Sequence, residues 1–144
     1  QQFLKTVNKI ESNNKKWCFA GHNIKEFDIP FICRRLLINS LPIPPFLDFQ
    51  NMKPWETNMI DTFQYWRFGD YKHYTSLKLL AAALNVPSPK DDIDGSMVGD
   101  VYWKEKNLER IVTYCQKDVV TTANIVLRFK NLPLLAETDV EIVK

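Results

Sequence analysis

An apolar run, a polar turn and an amphipathic segment follow one another near the start of the sequence. Residues 17–20 have the aromatic and apolar content of a buried strand. Residues 31–38 read as a helix, and Asp28 and Pro30 suit the first turn of such a helix. A carboxylate between a strand and a helix lies at the carboxyl end of the strand, where ligands bind in open α/β sheets. We therefore predict an α/β protein with a site built around Asp28.

The remaining elements fit one domain, residues 1–144. A second strand is predicted at residues 58–63, after a proline-rich loop at 41–54. Ser76 is predicted to cap a helix, and residues 107–130 keep helical period in their apolar positions. The apolar stripe predicted for that last helix is formed by Leu108, Ile111, Val112, Cys115, Val119, Ala123 and Val126.

Composition indicates an ordinary globular protein rather than a membrane-spanning or strongly basic one. The chain has 144 residues, of which 45% are hydrophobic and 25% charged, as in ordinary globular domains. Its formal net charge of +2 is too small to indicate nucleic-acid binding by itself. Its apolar runs are too short to span a membrane, so no membrane partner is expected.

The cysteines indicate a reducing environment. Cys18, Cys33 and Cys115 form an odd, widely spaced set without a CxxC pair, which favours neither a disulfide framework nor a zinc site. All three fall in apolar segments, so we expect buried, reduced thiols and a cytoplasmic protein.

Several polar residues have both a functional and a structural interpretation. Tyr114 and Asp118 are four positions apart, on one side of the last helix at the edge of its apolar face. They suit the lining of a cleft, or a surface carboxylate beside a half-buried tyrosine. Asp28 is equally consistent with a helix N-cap, which contributes about 1 kcal/mol. Asp61, after the second predicted strand, is consistent with a supporting group near the site or with another cap.

The turn before Asp28 has its own alternatives. Asn23 can shape the turn, His22 can belong to a loop, and Phe27 can be a core residue. Residues 66–74 mix aromatic and basic side chains, which suits either a rim that binds a nucleic-acid strand or a packed loop.

Taken together, these residues resemble the motifs of a known enzyme family. The pattern His22-Asn23-x-x-x-Phe27-Asp28 resembles the second motif of the DEDD 3′–5′ exonucleases, and Tyr114-x-x-x-Asp118 resembles their third motif. Asp61 lies between them in an apolar-Asp-Thr segment. Residues 76–80, 88–96 and 114–120 are most similar to the predicted exonucleases related to the proofreading domain of family B DNA polymerases.

The resemblance implies a fold, a mechanism and roles for residues. The fold would be RNase H-like, and two Mg²⁺ or Mn²⁺ ions roughly 4 Å apart would be held by four carboxylates. Asp28 and Asp118 would be two of these metal ligands, and Tyr114 would orient the attacking water. The substrate would be the 3′ end of single-stranded DNA or RNA, with DNA expected. His22, Asn23 and Phe27 would contact that end, Asn23 by holding the terminal nucleotide and Phe27 by packing on terminal bases.

The sequence departs from the family pattern in one motif. The first motif, an apolar strand with Asp-x-Glu, is not found before Asp28, and the only Asp-x-Glu, at Asp139 and Glu141, lies near the other end. We expect that the chain begins after the first motif. It would then be helix-rich, with a small remnant sheet lacking its N-terminal strands, inactive alone and prone to self-association. The alternatives are a nucleic-acid-binding module without catalysis and an interaction domain in which these residues are structural.

Overall fold

The protein is a helix-rich α/β chain with a small parallel sheet. The structure is a computed structural model, and it describes residues 2–11, 17–49, 52–53, 56–88 and 93–142. The regular elements are α1 (Gln2–Glu11), β1 (Phe19–Gly21), α2 (Asp28–Ile38), β2 (Met59–Asp61), α3 (Thr62–Trp66), α4 (Leu77–Ala83), α5 (Val98–Asp100) and α6 (Leu108–Phe129). Pro45–Leu47 and Glu137–Asp139 are 3₁₀ turns, and Val101–Glu105 is a π-helical turn.

The sheet brings the ends of two distant segments together. Strands β1 and β2 are parallel, and their register pairs Gly21 with Asp61. The second strand is shorter than predicted, because residues 62 and 63 already belong to α3, which Asp61 caps. The expectation of a buried first strand was also wrong, because the described sheet has two strands and Ala20 of β1 is exposed.

Two apolar clusters hold these elements. One packs α2 against the proline-rich loop, and its buried members are Ile24, Ile29, Leu36 and Leu47. The other packs α4 against the C-terminal half of α6, and its buried members are Leu80, Ala81, Val86 and Ile125. Ser76 caps α4 as predicted, because its hydroxyl oxygen accepts a hydrogen bond from the Leu79 N–H at 3.2 Å.

Helix α6 is covered unevenly. Its buried residues are Thr121, Thr122, Asn124 and Ile125, all in the C-terminal half. Leu108, Val112 and Val119 of the predicted apolar stripe are exposed. Helical period located the helix correctly but not its buried face, because α4 packs on only part of its length.

The cysteines are less buried than predicted. All three are free of disulfides, but Cys18 and Cys115 are exposed and only Cys33 is partly buried. Cys115 is exposed because it lies on the less covered half of α6. Among the described residues, no helix is long and apolar enough to cross a membrane.

Candidate active site

Asp61 organises the carboxyl edge of the sheet. Its side chain is buried, and Oδ1 accepts hydrogen bonds from the N–H groups of Phe63 and Gln64, at 3.0 and 3.2 Å, in the first turn of α3. The same carboxylate reaches across to the turn after β1, where Oδ1 accepts from Asn23 N–H at 3.0 Å and Oδ2 from Lys25 N–H at 3.1 Å. One carboxylate thus fixes both the start of α3 and the turn before Asp28, and the prediction of a cap is confirmed.

The turn itself has a tightly restricted backbone. Asn23 has a left-handed φ of 60°, and its carbonyl oxygen accepts hydrogen bonds from the N–H groups of Glu26 and Phe27. Asparagine tolerates this conformation better than most residues. Gly21 is required just before the turn, because a Cβ there would lie 2.7 Å from the Cβ of buried Ile24. The turn therefore presents the residues from 22 to 28 in one defined arrangement.

Asp28 is the first residue of α2. The N-cap position belongs to Phe27, which makes no side-chain cap, so the interpretation of Asp28 as the N-cap was wrong. The Asp28 residue is exposed, but the protein atoms around its carboxyl group displace water, and this raises the pKa. The negative charge of Asp61 raises the pKa further, while a hydrogen bond from the Asp28 backbone lowers it.

His22 uses both ring nitrogens within the chain. Nε2 lies 2.8 Å from the carbonyl oxygen of Thr75, which can only accept, so Nε2 carries a proton. Nδ1 lies 2.9 Å from the Thr62 hydroxyl, which donates to it when the ring is neutral. His22 thereby ties the turn after β1 to α3 and to the segment before α4.

The pKa of His22 predicts a pH dependence of stability. Burial lowers this pKa, although the Thr75 carbonyl and the charges of Asp61 and Asp118 act in the opposite direction. The unfolded chain, with a His pKa of about 6.5, then binds more protons than the folded one at mildly acidic pH. We expect the contribution of a neutral His22 to be complete above that value and to be lost as the pH falls towards the folded pKa.

Unfolding temperatures measured across this range would test the expectation. His22→Gln removes the titrating group and should flatten the acid-side decline, whereas His73→Gln, at an exposed histidine, should not. Equal declines in the wild type and His22→Gln would contradict the assignment.

The predicted acid of α6 lies near the same turn. Although the Cys115 residue is exposed, nearby protein atoms displace water from its thiol and raise the pKa, and the charges of Asp118 and Asp28 raise it further. The charge of Asp118 also raises the pKa of His22. Helix α6 contacts β1 directly. The structure therefore brings the carboxylates of the two predicted motifs into the electrostatic surroundings of one thiol.

Tyr114 lies on α6 one turn before Asp118. Its hydroxyl group is 3.8 Å from the position that a Cβ on Gly95 would occupy, so it faces the loop before α5. Ile93 is buried and anchors that loop. The Asp94 carboxylate shapes the loop by accepting hydrogen bonds from the backbone and hydroxyl of Ser96.

Two other predicted residues have unused binding capacity. The Asn23 Oδ1 atom is buried and has no hydrogen-bond partner among the described residues. Phe27 is 65% exposed, so it is not a core residue, and its ring stacks on that of Phe31 with centroids 6.4 Å apart. An exposed aromatic ring therefore lies beside Asp28, and a buried amide oxygen without a partner lies in the turn before it.

The carboxylates of Asp28 and Asp118 are the type of ligand that a hard divalent cation prefers, but two carboxylates are too few for a two-ion site. Carboxylate oxygens are ligands that Mg²⁺ and Mn²⁺ prefer. Within the described residues, however, no group of three or more histidines, cysteines or acids is arranged to hold a metal. Asp139 does not supply the missing motif, because it lies in a 3₁₀ turn and accepts a hydrogen bond from Ala136 N–H.

A cleft of about 450 Å³ is lined by residues of β2, α3 and the C-terminal end of α6. Asp61 contributes to its wall, together with the stacked rings of Tyr65 and Phe129. Lys25 and Lys130 lie at the same cleft. The predicted acids Asp28 and Asp118 are not part of this wall, so the cleft is distinct from the surface that carries them.

Comparison with known families agrees with the motif pattern. The family model that describes predicted 3′–5′ exonucleases related to the exonuclease domain of PolB matches residues 1–139. The chain belongs to this family. No curated protein and no solved structure matches the chain. The resemblance predicted from the sequence is confirmed. Membership of the PolB-related exonuclease family supports a nuclease-type enzyme.

Two features of this PolB-related exonuclease chain were not predicted in full. Sequence reasoning treated Asp61 as a cap or a supporting group, but not as the acceptor that joins two loops. If the two predicted strands had been paired in parallel, Asp61 would have been expected opposite Gly21, and its role between the two loops could have been predicted. The effect of both carboxylates on Cys115 had no local signal, because it depends on how α6 meets the sheet.

Proposed function

We propose that this chain forms part of a metal-dependent 3′–5′ exonuclease that hydrolyses phosphodiester bonds at the 3′ end of single-stranded nucleic acid, with DNA as the expected substrate. The observation that carries the proposal is the meeting of the two motifs at one parallel sheet. Asp61, at the carboxyl edge, holds the turn before Asp28 through the N–H groups of Asn23 and Lys25, and α6, which carries Asp118, contacts β1. Family membership supports the nuclease class and, by extension, an RNase H-like fold.

In this proposal Asp28 and Asp118 are metal ligands. Bound Mg²⁺ or Mn²⁺ would supply Lewis-acid stabilisation of charge and a more acidic water. A two-ion site needs further carboxylates, since the described residues hold no group of three. We therefore expect the chain by itself to have little or no nuclease activity.

The neighbouring residues would bind and orient the substrate. Asn23 would hold the terminal nucleotide, with its unpartnered amide oxygen accepting a hydrogen bond once the side chain turns towards the substrate. Phe27 would stack on a terminal base, a contact that tolerates any sequence. His22 would contribute through the turn that it holds, because both of its ring nitrogens already have partners. Tyr114 would orient the attacking water.

Strand degradation tests the proposal. A 5′-labelled single-stranded DNA would be incubated with Mn²⁺ and either this chain or the complete translation product of its gene. We expect the complete product to shorten the strand from its 3′ end. Binding without cleavage by the complete product would contradict the enzyme proposal and favour the alternative, a non-catalytic nucleic-acid-binding module.

We also propose that the isolated chain self-associates and functions in the cytoplasm. Helix α2 and its N-cap residue leave four large apolar side chains exposed, namely those of Phe27, Phe31, Leu37 and Ile38. Apolar patches of this kind promote association. Light scattering over a range of concentrations should show a rising apparent mass, and a constant monomer mass would contradict self-association.

The three free cysteines are compatible with the proposed cytoplasmic location, because the cytoplasm is a reducing compartment.

A further inference from the structure

The last two residues of α3 and the loop that follows them, residues 65–74, expose an unusual number of rings, and we call this segment the aromatic loop. Four of its aromatic side chains are largely exposed: Tyr65, Phe68, Tyr71 and Tyr74. Single exposed apolar residues need no explanation, but a contiguous group of aromatic rings marks a binding surface. None of these four residues has a proposed role in metal binding or in contact with the 3′-terminal nucleotide.

The backbone holds one of these rings in solvent. Phe68 has a left-handed φ of 43° and is 83% exposed, and Gly69 follows with a φ of 89°. This conformation is unfavourable for a bulky side chain. Packing offsets little of the conformational cost, because the aromatic contact described for the ring is an edge-on contact with Tyr65, with centroids 6.2 Å apart. Phe68 directly follows the C-cap of α3, a position where helices often end in a left-handed residue that is usually glycine or asparagine, so a phenylalanine is unusual there.

Cations alternate with the rings along the loop. The Arg67 guanidinium lies 4.2 Å from the centroid of the Tyr71 ring, and Lys72 and His73 follow directly. The loop's acid, Asp70, is engaged within the loop, since it accepts hydrogen bonds from Lys72 N–H and pairs with His73 Nδ1. Aromatic faces next to basic groups complement the bases and phosphates of a nucleic-acid strand.

The aromatic loop is joined to the turn of the candidate active site. Arg67 forms an ion pair with Glu26 at 3.5 Å, two residues before Asp28. The His22 ring packs edge-on against the Tyr74 ring with centroids 6.2 Å apart, and it donates to the carbonyl oxygen of Thr75. A strand whose 3′ end reaches Asp28 would therefore find the exposed rings on the adjoining surface.

We propose that the aromatic loop binds the single strand beyond its 3′-terminal nucleotides. Bases stack on Phe68 and Tyr71, while Lys72 neutralises a phosphate. Binding of this kind tolerates any base sequence. The inference rests on the proposed exonuclease function, because it concerns the strand that the site would degrade.

The experiment measures binding separately from hydrolysis. Fluorescence anisotropy of a labelled single-stranded DNA of about sixteen nucleotides, a length within the usual range of single-strand sites, would be recorded with the complete gene product in the presence of a chelator. Phe68→Gly and Tyr71→Ala should each weaken binding by about fivefold or more. Lys72→Ala should weaken binding and reduce the salt-dependence slope by about one.

Trp103→Ala is the matched control, since Trp103 and Tyr71 are both 76% exposed. It should leave affinity unchanged. Phe68→Gly should not lower the unfolding temperature, because glycine adopts the left-handed conformation without strain, so a loss of binding cannot be attributed to unfolding.

The possible outcomes separate this inference from the proposed function. Wild-type affinity in both ring variants, an equal loss in Trp103→Ala, or no strand binding by the wild type would each overturn the inference. Hydrolysis of the strand together with unchanged affinity in the ring variants would leave the exonuclease proposal standing alone. Ring-dependent binding without hydrolysis in Mn²⁺ would leave the binding surface and remove the exonuclease.

Discussion

Asp61→Ala is expected to cost about 3–5 kcal/mol in the free energy of unfolding, because four backbone N–H groups lose their acceptor and each unsatisfied buried donor costs about 1–3 kcal/mol. Water that enters the space left by the carboxylate would accept some of these hydrogen bonds, so the expected loss is smaller than the full cost of four unsatisfied donors. The loss is large beside the total of about 5–15 kcal/mol that is typical of folded domains. Urea or guanidinium unfolding at equilibrium would measure it.

Two further variants locate the origin of this effect. Asp61→Asn keeps one acceptor oxygen but directs an amide donor at a backbone donor, so we expect an intermediate loss. Asp94→Ala removes an exposed aspartate that also accepts a backbone hydrogen bond, from Ser96, and should cost far less than Asp61→Ala because water replaces the lost acceptor. If Asp61→Ala were no more destabilising than Asp94→Ala, Asp61 would not be the residue that joins the two loops.

Asp118→Asn is expected to lower the rate of 3′-end hydrolysis by the complete gene product on the order of a thousandfold. Loss of a group that stabilises transition-state charge has effects of this size. Stability should change little, because Asp118 is only partly buried and the replacement is isosteric. Single-turnover cleavage of labelled DNA at saturating enzyme would measure the rate without interference from substrate binding.

Glu109→Gln is the control for Asp118→Asn. It makes the same change of charge on the same helix, at an exposed position in the first turn of α6. We expect the control to cleave at the wild-type rate. A rate for Asp118→Asn equal to that of the control would exclude Asp118 from the chemistry.

Local patterns predicted the elements well, and tertiary contacts explain the exceptions. The junction around Asp28 and the helix after Ser76 were located from composition, period and capping residues. The end of β2 was misplaced because Asp61 begins a helix where the apolar pattern continues through Phe63. The cap itself is local, formed with Phe63 and Gln64, but the bonds from the N–H groups of Asn23 and Lys25, nearly forty residues away, have no signal in the local pattern.

The candidate site was predicted as a set of residues rather than as a geometry. Two motifs specify Asp28 and Asp118 as members of one site, but spacing along the chain gives no information on their separation in space. His22 illustrates the limit, because no sequence pattern indicates that Thr62 and Thr75 would occupy both of its nitrogens. The exposure of Cys115 likewise depends on which half of α6 is covered by α4.

The most direct test of the account is a double-mutant cycle of Asp28→Asn and Asp118→Asn, measured as the Mn²⁺-supported rate of 3′-end hydrolysis by the complete gene product. Residues that act as one unit give strongly non-additive effects. If the two carboxylates serve one metal site, the double variant should be no slower than the slower single variant. Independent, additive losses, or wild-type rates in both single variants, would contradict the claim that Asp28 and Asp118 form one catalytic centre.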